Sequence, residues 1–97
     1  MIVRFHPLAL KELSAAIAYY REISKTLAQR LLLAVEDARG KIVKFPEAWP
    51  PGPSNTRHFL LSGFPYRVVY RICGGEIQII ALAHYKRKTG YWRRRAR

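Results

Sequence analysis

Residues 64–84 read FPYRVVYRICGGEIQIIALAH, and this stretch decides the fold of the chain. Two runs rich in β-branched and aromatic residues flank Gly74-Gly75, and a glycine pair supplies the positive φ angles that a two-residue hairpin turn requires. The turn fixes the register of the hairpin, with Cys73 opposite Glu76. The stretch therefore predicts two long antiparallel strands at the centre of a sheet.

The two faces of this hairpin differ in composition, because side chains alternate across a strand. The face expected to pack into the core carries the pairs Ile72 and Ile77, Tyr70 and Ile79, Val68 and Ala81, and Tyr66 and Ala83. The other face mixes cations with apolar groups, namely Arg67, Val69, Arg71 and Cys73 across from Leu82, Ile80, Gln78 and Glu76. We call this second face the working face, and we expect it to contact a partner.

Two helices are predicted between a first short strand and the hairpin. Ile2–Phe5 is β-prone, and Pro7 suits the first turn of a helix that runs to about Ile23. Ser24 can cap the second helix, and Pro46 ends it. Apolar residues recur every three or four positions in both helices: Leu10, Leu13, Ile17 and Tyr20 in the first, and Leu27, Leu31, Val35, Ala38, Ile42 and Phe45 in the second.

Gly40 stands inside the second predicted helix. Glycine in a helix interior costs about 1 kcal/mol relative to alanine. A close contact with another helix and a local kink both explain a glycine at this position, and the sequence leaves the two explanations open.

A proline-rich connector and a further strand complete the fold. Residues 46–55 read PEAWPPGPSN, which can neither continue a helix nor pair in a central strand. We expect Trp49 to pin this connector to the body by packing. Arg57 to Leu61 reads as a strand. The order β-α-α-β-β-β predicts one α+β domain over residues 1–97, with a two-helix hairpin on one face of a mostly antiparallel sheet and a short basic tail.

Composition excludes several classes of protein. The 97 residues hold 18 Lys and Arg against 6 Asp and Glu, a net charge of +12, which favours nucleic acid or an acidic partner. The single cysteine, Cys73, permits neither an intrachain disulfide nor a cysteine-based metal site. No apolar run approaches the roughly 18 residues that span a membrane. We therefore expect a cytoplasmic protein that uses no metal and no cofactor.

The C-terminal tail permits a simple interpretation as a nucleic-acid-binding module. Trp92 is followed by three consecutive arginines and by Arg97. Arginines that contact phosphates, together with an aromatic ring that stacks on a base, suffice for salt-sensitive binding with little sequence preference.

Several short motifs occur in the order and spacing of a known family. They are His6-Pro7, Glu12-Leu13, Tyr19-Tyr20, Phe64-Pro65-Tyr66-Arg67, His84, Arg87 and Gly90-Tyr91-Trp92. The chain resembles the RelE/ParE family of bacterial toxins over nearly its whole length. The resemblance implies the toxin of a type II toxin–antitoxin, or plasmid stabilisation, system. Such a toxin inhibits growth and is held inactive by a cognate antitoxin. The net charge of +12 and the mixed working face lead us to expect that this antitoxin binds with an acidic or amphipathic segment.

The resemblance leaves the target open between two mechanisms. RelE-like toxins cut messenger RNA on the ribosome as metal-independent endoribonucleases, whereas ParE-like toxins poison DNA gyrase. If the chain is a nuclease, the matching catalytic candidates are Arg67, Arg87, His84 and Tyr91. No lysine stands between Lys44 and Lys86, so proton transfer would rely on His58 or His84. The FPYR and GYW motifs are more similar to the ParE side, which favours gyrase.

A second set of residues is expected to bind the target or the antitoxin, whichever mechanism operates. It combines the working face with the tail: Arg67, Arg71, Leu82, Tyr91, Trp92, Arg93, Arg94 and Arg95. Aromatic and arginine side chains are enriched among the residues that dominate protein interfaces.

Overall fold

The order of helices and strands is the expected one. The structure is a computed structural model that describes residues 1–96, so Arg97, counted above in the basic tail, lies outside the described residues. The elements are β1 (Ile2–Phe5), α1 (Pro7–Ile23), α2 (Lys25–Lys44), β2 (Arg57–Leu60), β3 (Tyr66–Cys73) and β4 (Glu76–His84), with short 3₁₀ turns at Pro53–Asn55 and Arg93–Ala96. None of the described helices is long and apolar enough to cross a membrane.

Side-chain caps fix the N-terminal ends of both helices. The His6 ring nitrogen Nδ1 accepts a hydrogen bond from the main-chain N–H of Leu8 at 3.1 Å, and Pro7 occupies the first turn of α1. The Ser24 hydroxyl accepts from the N–H of Leu27 at 3.3 Å, which confirms the predicted cap of α2. Because the Ser24 N–H also donates to the Tyr20 carbonyl, one serine ends α1 and begins α2.

The four strands form one sheet in the order β1-β4-β3-β2. β1 runs parallel to β4, and the other two pairs are antiparallel, which confirms the mostly antiparallel sheet. β1 stops at Phe5, opposite Ile79, whereas β4 continues to His84. The second half of β4 therefore extends past the end of its neighbour.

The predicted hairpin register is confirmed only near the turn. Tyr70 pairs with Ile79 as expected, but an irregularity before it leaves Ile80 as an extra residue on β4. Such a bulge shifts every later pair by one position. Val68 therefore lies opposite Leu82, which turns into the helix-covered core and is 6% exposed. The placement of Leu82 on the working face was wrong.

The helices cover one face of the sheet and form the main core. The buried members of this core are Ala9, Ala16, Leu31, Val35, Ala38, Ile42, Phe59, Leu61, Val68, Tyr70, Ile77, Ile79 and Leu82. Leu10 and Phe45, at the ends of the predicted stripes, are exposed instead. Trp49 packs edge-on against Phe59, with ring centroids 4.8 Å apart, which confirms that it pins the connector. A methyl group added at Gly40 would meet no atom within 4 Å, so the close-contact explanation is wrong.

A second, smaller core lies on the opposite face of the sheet. Its buried members are Val69, Ile80, Ala81, Ala83 and Trp92. Trp92 is 2% exposed and comes from the C-terminal segment, residues 91–96, which folds back over this face. The sheet is therefore covered on both sides, by helices on one and by the end of the chain on the other.

Candidate functional site

The C-terminal segment occupies the face that the sequence offered as a working face. Arg71 donates one hydrogen bond to the Gln78 side chain at 2.8 Å and another to the Ala96 carbonyl at 2.7 Å. Trp92 fills the apolar part of the same face. Arg71 and Trp92 were both predicted to bind a partner; instead Arg71 bonds to the protein's own C-terminal segment, and Trp92 packs from that segment onto the sheet.

Glu12 on α1 holds this segment in place. One carboxylate oxygen accepts from the main-chain N–H of Leu82 at 3.1 Å and from the Arg95 guanidinium at 2.8 Å. The other accepts from the Tyr91 hydroxyl at 2.5 Å and lies 3.5 Å from Arg87. The Glu12 side chain is 15% exposed, so these bonds form largely away from water. One carboxylate joins a helix, a strand edge and the end of the chain.

Sequence reasoning missed this role of Glu12. The residue was noted only as part of a family motif, and its partners lie 70 to 83 positions further along the chain. The chain has 18 Lys and Arg residues, and the sequence around Glu12 does not indicate which of these cations its carboxylate will contact.

Tyr91 is fixed between two cations and the carboxylate. The guanidinium carbon of Arg87 lies 3.7 Å from the centre of the Tyr91 ring, and that of Arg95 lies 5.1 Å away. Burial and the hydrogen bond to Glu12 raise the pKa of the Tyr91 phenol well above its usual value. Tyr91 therefore acts as a protonated hydrogen-bond donor at neutral pH.

All four nuclease candidates line one small polar cleft between the ends of β3 and β4 and the C-terminal segment. They are Arg67, His84, Arg87 and Tyr91, and they are joined there by His58 from β2. The enclosed space is about 20 Å³, room for about one water molecule. The structure thus brings the predicted residues together but leaves little space between them.

The two histidines of the cleft differ in their surroundings. His58 packs edge-on against Trp92, with centroids 5.3 Å apart, and burial followed by the charge of Arg67 lowers its pKa. The His84 ring packs on Tyr66 at 5.1 Å, and its Nδ1 accepts from the main-chain N–H of Lys86 at 3.0 Å. His58 is thus held neutral, and His84 orients the turn that leads to Arg87.

The tail arginines divide into two kinds. Arg95 is bound to Glu12, and its side chain is only 12% exposed. Arg93 and Arg94 project into solvent from the same turn. Because Trp92 is buried, it cannot provide a ring on which a base stacks, which removes one element of the predicted nucleic-acid-binding module. Arg93 and Arg94 remain available to a partner.

Comparison with known proteins decides the family. A family model described as the ParE toxin of the type II toxin–antitoxin system parDE matches residues 3–89. The chain belongs to the ParE toxin family. This confirms the resemblance found in the sequence, and a ParE-family toxin implies a cognate antitoxin as its partner.

The solved structures agree with the fold of this ParE-family chain. It resembles the chromosomal ParDE system from P. aeruginosa with a TM-score of 0.62 and 21% identity, over 87% of this chain and 95% of that chain. At this identity the likeness supports the fold alone. A comparison with curated protein sequences found no significant match.

Proposed function

We propose that this ParE-family toxin inhibits growth by poisoning DNA gyrase and that it does not cut RNA. The observation that supports the proposal best is that Tyr91 and Arg87, two of the nuclease candidates, are already in contact with each other and with Glu12. The Tyr91 hydroxyl donates a hydrogen bond to Glu12, and Arg87 stacks on Tyr91 beside the same carboxylate. These groups hold the C-terminal segment together.

Metal-free RNA cleavage makes demands that this arrangement meets poorly. It needs a group that accepts the 2′-hydroxyl proton, cations that stabilise the phosphate, and a group that protonates the leaving oxygen. The raised pKa of Tyr91 weakens it as a proton donor in the reaction, and Arg87 lies 3.5 Å from the Glu12 carboxylate, whose charge it shares with Arg95. The cleft itself holds only about 20 Å³, so a nucleotide would contact these groups from outside it.

The exposed arginines of the C-terminal segment are the proposed contacts to gyrase. Arg93 and Arg94 stand on a turn that the buried Trp92 and the bond from Arg95 to Glu12 hold in place. A preorganised turn loses less conformational entropy on binding than a free tail does. The segment can therefore present two cations to a protein surface.

The proposal is tested with purified gyrase. The wild-type toxin should inhibit supercoiling and accumulate cleaved DNA bound covalently to gyrase. The double variant Arg93→Ala/Arg94→Ala should need at least tenfold more protein for the same effect. The matched control is Arg21→Ala/Arg30→Ala, which removes two exposed arginines from the helices. Equal potency of the two double variants would contradict the role of the C-terminal segment.

Ribosome-dependent messenger RNA cleavage is the second candidate, because Arg67, Arg87 and His84 line one cleft. The Arg67 side chain forms no ion pair with the described residues 1–96 and lies over the Tyr85 ring at 5.2 Å. If this function operates, Arg67→Ala should lower the cleavage rate in a translating extract about a hundredfold. Absence of cleavage by the wild-type toxin would exclude it.

The cognate antitoxin is proposed to bind with an acidic and amphipathic segment. The C-terminal segment covers the working face, and we expect the antitoxin to use the exposed apolar side chains of the helices instead. Tyr19, Ile23 and Leu33 are each more than half exposed there. At 1 M salt the electrostatic screening length is only about 3 Å, so attraction between surface charges is largely lost. Salt does not screen apolar burial, so the pair should stay together during purification at this concentration. Dissociation at moderate salt would contradict this mode of binding.

A further inference from the structure

The second half of β4 is a strand edge without a neighbouring strand. β1 ends opposite Ile79, and on the same side the Leu82 N–H is bonded to the carboxylate of Glu12. Main-chain groups alternate between the two sides of a strand, so the Leu82 C=O and the His84 N–H face this same edge. Tyr85 donates to Pro65 on the β3 side, in agreement with that alternation. The Glu12 side chain thus stands where a strand would bind.

A groove runs along this edge, between β4 and α1. Glu12, Ala15, Ala16 and Tyr19 line it from the helix, and Tyr66, Leu82, His84 and Arg87 line it from the sheet, around a volume of about 230 Å³. Past Tyr19 it continues into a second hollow of about 390 Å³, bounded by Tyr20, Ile23 and Pro65. Two alanines on the helix wall keep the groove wide enough for a main chain to approach β4.

The charges around the groove indicate the chemistry of its occupant. Arg87 lines one end with a side chain 54% exposed, and Lys86 and Lys88 are exposed beside it. Glu12 is the one acidic residue in the lining, and its charge is shared with Arg87 and Arg95. The other end is apolar and rich in tyrosine, with Tyr19 62% exposed. An occupant needs acidic residues at the first end and an apolar side chain at the second.

We propose that an extended segment of the antitoxin adds to the sheet at Leu82–His84 as a short fifth strand. Its main-chain carbonyl replaces Glu12 at the Leu82 N–H, an acidic side chain meets Arg87, and an apolar side chain enters the hollow beside Tyr19. Main-chain bonds supply affinity, and the two ends of the groove supply specificity. This inference rests on the pairing with an antitoxin described above. Until binding, Glu12 protects an edge that would otherwise pair with other chains.

The test fills the groove from the helix side. Ala15→Leu places a larger side chain in the groove, whereas Ala18→Leu makes the same change at another exposed position of α1 that does not line it. The probe is the antitoxin expressed from the reading frame beside the toxin gene. We expect Ala15→Leu to raise the dissociation constant at least tenfold and Ala18→Leu to change it less than twofold, with equal melting temperatures.

Amide hydrogen exchange in the wild-type complex distinguishes a strand from a helix in the groove. A bound strand should slow exchange of the His84 N–H at least tenfold. A tenfold loss of affinity in Ala15→Leu without that protection would overturn the added strand. Equal affinity of the two variants would also overturn it while leaving the pairing intact. If the antitoxin does not bind the wild-type toxin at all, the pairing itself fails.

Discussion

At the scale of single residues, Glu12 does more for the structure than any group that the sequence singled out. Its carboxylate compensates Arg95 in a largely buried setting and satisfies the Leu82 N–H beyond the end of β1. An unpaired main-chain N–H or an uncompensated arginine in such a place costs free energy comparable to a lost charged hydrogen bond. The fold of the C-terminal half therefore depends on one acidic side chain from α1.

Replacing Glu12 by alanine should destabilise the protein strongly. We expect the free energy of unfolding to fall by about 2–4 kcal/mol, because two cations and a strand amide lose their acceptor. Urea unfolding measures the change. Glu22→Ala, at an exposed position of the same helix, is the control and should change stability by less than about 0.5 kcal/mol. Similar losses in both variants would refute the role of Glu12.

His58 should make stability depend on pH just below neutrality. In the folded state, burial and the charge of Arg67 lower the pKa of His58 below 6.5, its ordinary value in an unfolded chain. At a pH between the folded and the unfolded pKa, the unfolded chain therefore binds more protons than the folded protein. The free energy of unfolding should therefore decrease as the pH falls from 7 through 6.5 and below. Denaturant titrations should show a smaller decrease for His58→Gln, and NMR should show a higher His58 pKa in Arg67→Gln. An unchanged His58 pKa in that variant would contradict the electrostatic cause.

At the scale of elements, most of the fold could be predicted because local signals and packing agree. Pro7, Ser24 and the glycine pair each act through the chain around them, and the structure places the corresponding ends and turn as expected. The bulge at Ile80 could not be predicted. An apolar run such as IQIIALA offers side chains for either face, so its pattern does not show where one residue is added.

Gly40→Ala should stabilise α2. The helix continues through this position to Lys44, and an added methyl group meets no atom within 4 Å. Alanine is favoured over glycine by about 1 kcal/mol in a helix interior, so the melting temperature should rise by several degrees. Thermal unfolding followed by circular dichroism measures the change. A decrease would indicate a backbone conformation at Gly40 that alanine does not tolerate.

At the scale of the whole molecule, the chain builds two cores on opposite faces of one sheet. The second core explains the mixture of cations and apolar groups on the predicted working face: the apolar groups bury Trp92, and Arg71 bonds to Gln78 and to the end of the segment. The four residues that the family resemblance singled out line one cleft. The resemblance could not show that the tail folds back over the sheet. The arginine-rich terminus contains one tryptophan but no repeated pattern of apolar residues that would predict a buried segment.

Trp92→Ala should open this second core. Loss of a fully buried tryptophan typically costs about 3–5 kcal/mol, so the variant should unfold at markedly lower denaturant concentration. Arg94→Ala, two positions away and exposed, should leave the midpoint nearly unchanged. Equal midpoints for the two variants would show that the C-terminal segment does not stabilise the sheet. Deleting residues 91–97 would remove the buried Trp92 and the exposed arginines at once, so it would not separate stability from target binding. Point variants are therefore preferable.

The most direct measurement of the proposed function is made in cells that express the toxin without antitoxin. One culture is divided after induction, and covalent gyrase–DNA complexes are counted in one half while the 5′ ends of messenger RNAs are mapped in the other. We predict trapped gyrase–DNA breaks and intact messages. Ribosome-dependent cuts within codons that disappear in Arg87→Ala, with no trapped gyrase, would contradict the proposal and establish the nuclease instead.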